Sequence, residues 1–76
     1  MFIKVVVGRS QTVYECQRYI LVPFEGSSSE SGEMLTMESD SGNSITVQFN
    51  RSKIPNDNAV VYVMNNHGKT IDTLYI

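Results

Sequence analysis

The chain holds one cysteine, two prolines and no tryptophan among its 76 residues. A single cysteine excludes an intrachain disulfide framework and a zinc site built on thiolates. The lone Ala59 and three leucines leave a helix little to propagate on. No apolar run approaches the ~20 residues that a membrane-crossing helix needs. A net charge of −2 beside 41% apolar residues is not the composition of a disordered tail. One domain, residues 1–76, is all that this length can hold. Its core is small, because a chain of this size buries only about 60% of its unfolded surface.

What the chain has instead is branching at Cβ. Val, Ile and Thr supply twenty residues, against four for Ala and Leu. Such side chains lose rotamer freedom in a helix and pack well on a pleated surface. The expected class is all-β, with little or no helix.

Three hairpins can be drawn from turn residues and alternation. The first turns at Gly8-Arg9-Ser10-Gln11, which pairs Val7 with Thr12, Val5 with Tyr14 and Ile3 with Cys16. The second turns at Asp40-Ser41-Gly42 and pairs Met37 with Ile45, Leu35 with Val47 and Glu33 with Phe49. Its other face pairs Glu38 with Ser44, Thr36 with Thr46 and Met34 with Gln48, so polar meets polar. The third turns at Asn66-His67-Gly68 and pairs Val63 with Ile71 and Val61 with Thr73. Met64, Tyr62 and Val60 then face Thr70, Asp72 and Leu74. A two-residue turn at His67-Gly68 would shift this last pairing by one and exchange its faces.

Six strands follow, at roughly 2–8, 11–22, 33–39, 43–50, 59–65 and 69–76. The Ser- and Gly-rich stretch 25–32 is expected to be a flexible surface loop, with Pro23 ending the strand before it. Arg51 to Asn58, through Ile54-Pro55-Asn56-Asp57, suits a type I turn or one 3₁₀ turn. The second strand is about twice the usual length, which calls for a bend or bulge serving two parts of a curled sheet. The expected architecture is a small six-stranded antiparallel barrel or roll. It is SH3-like or OB-like in size only, and no family motif accompanies it.

Charge is uneven. Residues 1–24 carry +2, residues 25–40 carry −5 and residues 41–76 carry +1. The acidic stretch reads as a solvated edge that resists strand addition. The N-terminal Phe2-Ile3-Lys4-Val5-Val6-Val7 reads as a first strand and not as a targeting leader. With Cys16 unpaired, a cytoplasmic setting is expected, and Asn50-Arg51-Ser52 is then a chance match to a glycosylation sequon.

Nothing here assembles a catalytic centre. His67 is the only histidine and falls at a hairpin tip, while Cys16 alternates with apolar residues and is expected to be a buried, inert thiol. Gly68-Lys69-Thr70 echoes a phosphate-binding loop, but Val63 stands where its earlier glycine would be, and a strand follows it where a helix should. Asp40-Ser41-Gly42-Asn43 lacks the ligand spacing of a calcium loop. The expectation is a non-enzyme with no cofactor and no metal.

Two binding functions remain. The first is a protein-interaction module, binding a partner protein or a second copy and forming a homodimer. Its support is the apolar side chains left outside the expected core: Phe2, Val6, Val13, Tyr19 and Leu21. The candidate interaction residues are Arg18, Tyr19, Leu21, Tyr62 and Tyr75, because Arg and Tyr most often dominate interfaces. Arg18 has two expected placements. On a buried face it needs an acidic partner such as Asp72 or a Glu. If the strand bulges near Gln17, it points outward beside Tyr19. The second function is single-stranded nucleic-acid binding, with Tyr19, Tyr62 and Tyr75 as stacking groups beside Lys4, Arg9 and Arg18. A pI of about 5.1 and six basic residues disfavour it. No membrane partner is expected.

Overall fold

A computed structural model describes residues 1–26, 31–51 and 59–76. Among these residues the structure is all-β, with seven antiparallel strands in two sheets and no helix. The strands are β1 (Phe2–Val7), β2 (Ser10–Glu15), β3 (Arg18–Glu25), β4 (Ser31–Glu38), β5 (Ser44–Asn50), β6 (Ala59–Met64) and β7 (Thr70–Tyr75). The first sheet has the order β2-β1-β6-β7 and the second the order β3-β4-β5. The expected closed barrel is therefore replaced by two open sheets. No described strand joins β2 or β7 to β3 or β5, so each sheet keeps two edges.

The seventh strand arises because the long segment 11–22 is two strands. Cys16 N donates to Met1 O at 3.0 Å, which holds that residue to the first sheet. Gln17 N donates to Glu38 O at 2.7 Å, which ties the next residue to the second. The chain changes sheets between these two residues, as strands do at the corners of packed β-sheets. Pro23 does not end β3. It lies inside the strand, on an edge of its sheet, where one side of the backbone needs no ladder hydrogen bond. β3 runs on to Glu25 and β4 begins at Ser31, so Glu25, Ser31 and Gly32 of the expected loop are strand. The rest of the expected loop, 27–30, and the expected turn within 52–58 lie outside the described residues.

The hairpin registers separate cleanly. The β4–β5 pairing agrees with the sequence reading at every pair, and Gly42 takes a left-handed φ of 86° in its turn. The β1–β2 turn is tighter than expected. Gly8, at φ 58°, lets two residues turn the chain, so Val7 meets Ser10 and Ile3 meets Tyr14. That is a shift of two, which leaves the faces unchanged and moves Cys16 past Ile3 to Met1. In β6–β7 the turn falls where expected and Met64 meets Thr70. An irregularity between Val63 and Met64 then advances the register by one, setting Val61 against Leu74 and Val63 against Asp72. Without that bulge Thr73 would take the place opposite Val61 that apolar Leu74 fills.

The core lies between the sheets. Ile3, Val5, Ala59, Val61 and Val63 come from the first sheet, Leu35, Met37 and Phe49 from the second, and Cys16 from the corner; all are buried. Each large member of this set contributes about 1.5–3 kcal/mol by leaving water. In a chain without disulfides, this burial is the main stabilising term.

Candidate interaction surface

The corner decides where the candidate residues point. Side chains alternate along a strand, so Tyr14 and Cys16 share the inward face of β2. Across the change of sheet the parity inverts, and Tyr19 and Leu21 become the inward residues of β3. Leu21 lies opposite Leu35 and packs on the core. Tyr19 lies opposite Met37, and its hydroxyl donates a long hydrogen bond, 3.5 Å, to Asp72 Oδ2 on β7. Three residues beyond Cys16, the Tyr19 side chain thus reaches β7, the opposite edge of the first sheet from β2.

Arg18 faces outward, its side chain 78% exposed, with Nε 3.5 Å from Glu38 Oε2. The outward placement is thus the one found, with two corrections: a break between two strands and not a bulge produces it, and Arg18 and Tyr19 stand on opposite faces of the sheet. Asp72 pairs with Tyr19 and not with Arg18. The five candidates are spread over three surfaces. Tyr19 and Leu21 belong to the core side, Arg18 to the outer face of the second sheet, and Tyr62 and Tyr75 to the outer face of the first.

That outer face of the first sheet brings two candidates, Tyr62 and Tyr75, together on a side turned away from the core. Cross-strand registers build it in rows. Val13, Lys4, Tyr62 and Thr73 form one row; Gln11, Val6, Val60 and Tyr75 form the next. Phe2 and Met64 continue it beside Glu15. Val13 is 56% exposed and Tyr75 81% exposed. Lys4 Nζ stands 5.4 Å from the centroid of the Tyr62 ring, so the sheet's own cation already covers that aromatic face.

Comparison with protein-family models, with curated proteins and with solved structures found no match. What these surfaces can do has to follow from their own chemistry.

Two concavities lie elsewhere. One, of about 290 Å³, sits at the corner and is lined by Glu15, Cys16, Gln17, Ser39, Asp40 and Ser41. Its polar groups bond to one another, with Gln17 Nε2 donating to Asp40 Oδ2 at 3.1 Å and Ser39 Oγ 2.9 Å from Ser41 Oγ. Burial pushes the Cys16 thiol above its ordinary pKa, which keeps it protonated and weakly nucleophilic. His67 is exposed at the tip of the β6–β7 turn, where its backbone N–H donates to Asn65 Oδ1 at 2.9 Å. Among the described residues no three His, Cys, Asp or Glu side chains gather to hold a metal ion.

The other concavity, about 300 Å³, lies beside Arg18, Tyr19, Ile20, Thr36 and Glu38. Ile20 is 57% exposed there. An unbroken strand that kept its parity through residue 17 would place Ile20 inward with Cys16. The one available signal was Arg18 itself, whose charge on an otherwise apolar face marks the point where the alternation breaks.

Proposed function

We propose that this chain is a non-catalytic protein-interaction module that docks a partner protein on the outer face of its four-stranded sheet. The observation that carries this reading is the apolar outer face itself, on which Phe2, Val6, Val13, Tyr62 and Tyr75 lie on the side away from the core. Apolar and aromatic side chains gathered on one exposed sheet face, interleaved with Lys4, Gln11 and Thr73, suit a contact site. Aromatic anchors such as Tyr75 supply contact area at low entropic cost. The buried, protonated Cys16 and the exposed His67 support a binding role over nucleophilic catalysis. An unpaired thiol suits a reducing, cytoplasmic setting.

The nucleic-acid reading draws less support. Tyr19 turns toward the core, the Tyr62 ring carries Lys4, and Arg18 pairs with Glu38. Of the proposed stacking groups, Tyr75 alone stands well exposed.

A comparative pull-down tests the proposal. The tagged chain is compared with a Val13→Asp, Tyr75→Ser double variant, both changes lying outside the core. Retention of a protein by the native chain and its loss in the variant, at an unchanged thermal midpoint, is the expected result. Retention of the same proteins by both forms would refute docking on this face. Titration with mixed-sequence single-stranded oligonucleotides at low salt runs alongside, and binding at low micromolar concentration would favour the nucleic-acid reading instead.

A further inference from the structure

The four sheet edges are not equally guarded. β3 carries Pro23, Arg18 and Glu25, which are standard obstacles to strand addition. β7 carries a bulge in its register and Asp72 within its span. β2 bears Glu15 and runs into the corner. β5 has none of these. Its seven residues, Ser44-Ile45-Thr46-Val47-Gln48-Phe49-Asn50, include no charge, no proline and no glycine, and its register with β4 is unbroken. Among the described residues only β4 pairs with it.

The backbone parity of β5 follows from its two ends. Ser39 N donates to Asn43 O at 2.9 Å, and Arg51 N donates to Ser31 O at 2.9 Å. In an antiparallel ladder, hydrogen-bonded and non-bonded pairs alternate. The odd-numbered residues of β5 therefore face β4 with their N–H and C=O groups. Ser44, Thr46 and Gln48 aim theirs at the open edge. Those three residues are exposed, and Ile45, on the core-facing row, is half exposed at the same edge.

We propose that β5 pairs antiparallel with β5 of a second copy, on a two-fold axis through Thr46, to form a continuous six-stranded sheet. The occupant follows from self-complementarity. About that axis Thr46 meets the partner's Thr46, Ser44 meets the partner's Gln48, and Ile45 meets the partner's Val47. Polar residues meet polar, apolar meet apolar, and Ser44, Thr46 and Gln48 fall at hydrogen-bonded positions. The same axis sets the end of each β5 that leads into Arg51, itself more than half exposed, toward the partner's 40–42 turn, which holds the acidic Asp40. No like charges are opposed along the paired strands. The half-exposed Ile45 is covered by the partner's β5. This surface is separate from the outer face of the first sheet, so either assignment can fail alone.

Residue 46 on the axis supplies a register-specific test. Sedimentation equilibrium of the full chain is expected to show a dimer forming with concentration. Thr46→Lys or Thr46→Glu, each opposing a like charge across the axis, is expected to weaken that dimer about tenfold or more. An equimolar mixture of the two variants is expected to restore association as a heterodimer. Thermal unfolding of each variant at low concentration checks that it is folded. Thr46→Pro, whose lost N–H is not used by β4, gives a second route to the monomer. A native chain that stays monomeric at high micromolar concentration would overturn the proposal. So would a dimer indifferent to all three substitutions, or charge variants that fail to rescue one another.

Discussion

Arg51 Nη2 donates to Glu33 Oε1 at 2.6 Å, while the second carboxylate oxygen of Glu33 is buried without a partner among the described residues. Glu33 occupies the core-facing row of the second sheet, between Pro23 and Phe49, and its side chain is only 19% exposed. The pair is asymmetric, since the guanidinium is mostly in water and the carboxylate mostly out of it. Screening weakens the attraction itself, so most of what Arg51 contributes is the avoided cost of an unpaired, largely buried acid.

Arg51→Ala is accordingly expected to lower stability by about 1–2 kcal/mol, read as a reduced urea midpoint at constant slope. Replacing both partners together, by Glu33→Met and Arg51→Met, is expected to be neutral or stabilising, because it removes the charge that needs satisfying. A double variant as unstable as Arg51→Ala alone would show that the loss comes from packing of the arginine stem.

Alkaline pH should loosen the fold. Burial, then the Asp72 charge, raises the Tyr19 pKa above its ordinary value, and burial raises that of Cys16. Both groups are favoured protonated in the native state. Their contribution is complete below the ordinary values of 9.0 for the thiol and 10.0 for the phenol, and it is lost as pH rises through the native values. Between those limits the unfolded chain binds fewer protons than the native one, so unfolding free energy falls with pH. Urea titrations from pH 8 to about 10.5 should show this fall, with a shallower slope for Tyr19→Phe. An unchanged slope in that variant would remove Tyr19 as a contributor.

Two glycines should respond very differently to alanine. Gly42 has φ 86° and open space around its absent Cβ, so Gly42→Ala carries only the backbone term, about 1 kcal/mol. At Gly32 a Cβ would collide with the Phe49 carbonyl oxygen of the neighbouring strand. Gly32→Ala must push β4 from β5 and is expected to cost several times more or to prevent folding, as circular dichroism and thermal melts would report. Equal midpoints for the two variants would contradict the close approach.

Arg18→Ala is expected to change stability by no more than about 0.5 kcal/mol, because both it and Glu38 are exposed and the contact is long. A loss above about 2 kcal/mol in chemical denaturation would instead mean a structural role beyond the pair.

Much of this architecture is written locally. Alternation of Ile45, Val47 and Phe49 with Thr46 and Gln48, set against Leu35 and Met37 across a Gly42 turn, determines one hairpin completely, because alternation excludes a slip of one residue and the turn excludes a slip of two. The shortage of Ala and Leu determines the class, since β-branched residues have no better use than a pleated sheet. The buried Cys16 follows from the same alternation.

Tertiary structure decided the rest. Whether residues 11–22 form one strand or two depends on where two sheets separate. That change of sheet at Cys16 and Gln17 turned Tyr19 and Leu21 inward and Arg18 and Ile20 outward. The bulge near Val63 was equally hidden, because it is paid for by seating Leu74 against Val61, a contact distant along the chain. The scarcities that mark this sequence, one cysteine and few helix formers, determine that it is a β-protein held by apolar burial. Which faces and edges remain for a partner is set only when the two sheets close on their common core, since period-two alternation specifies two faces but not which of them meets water.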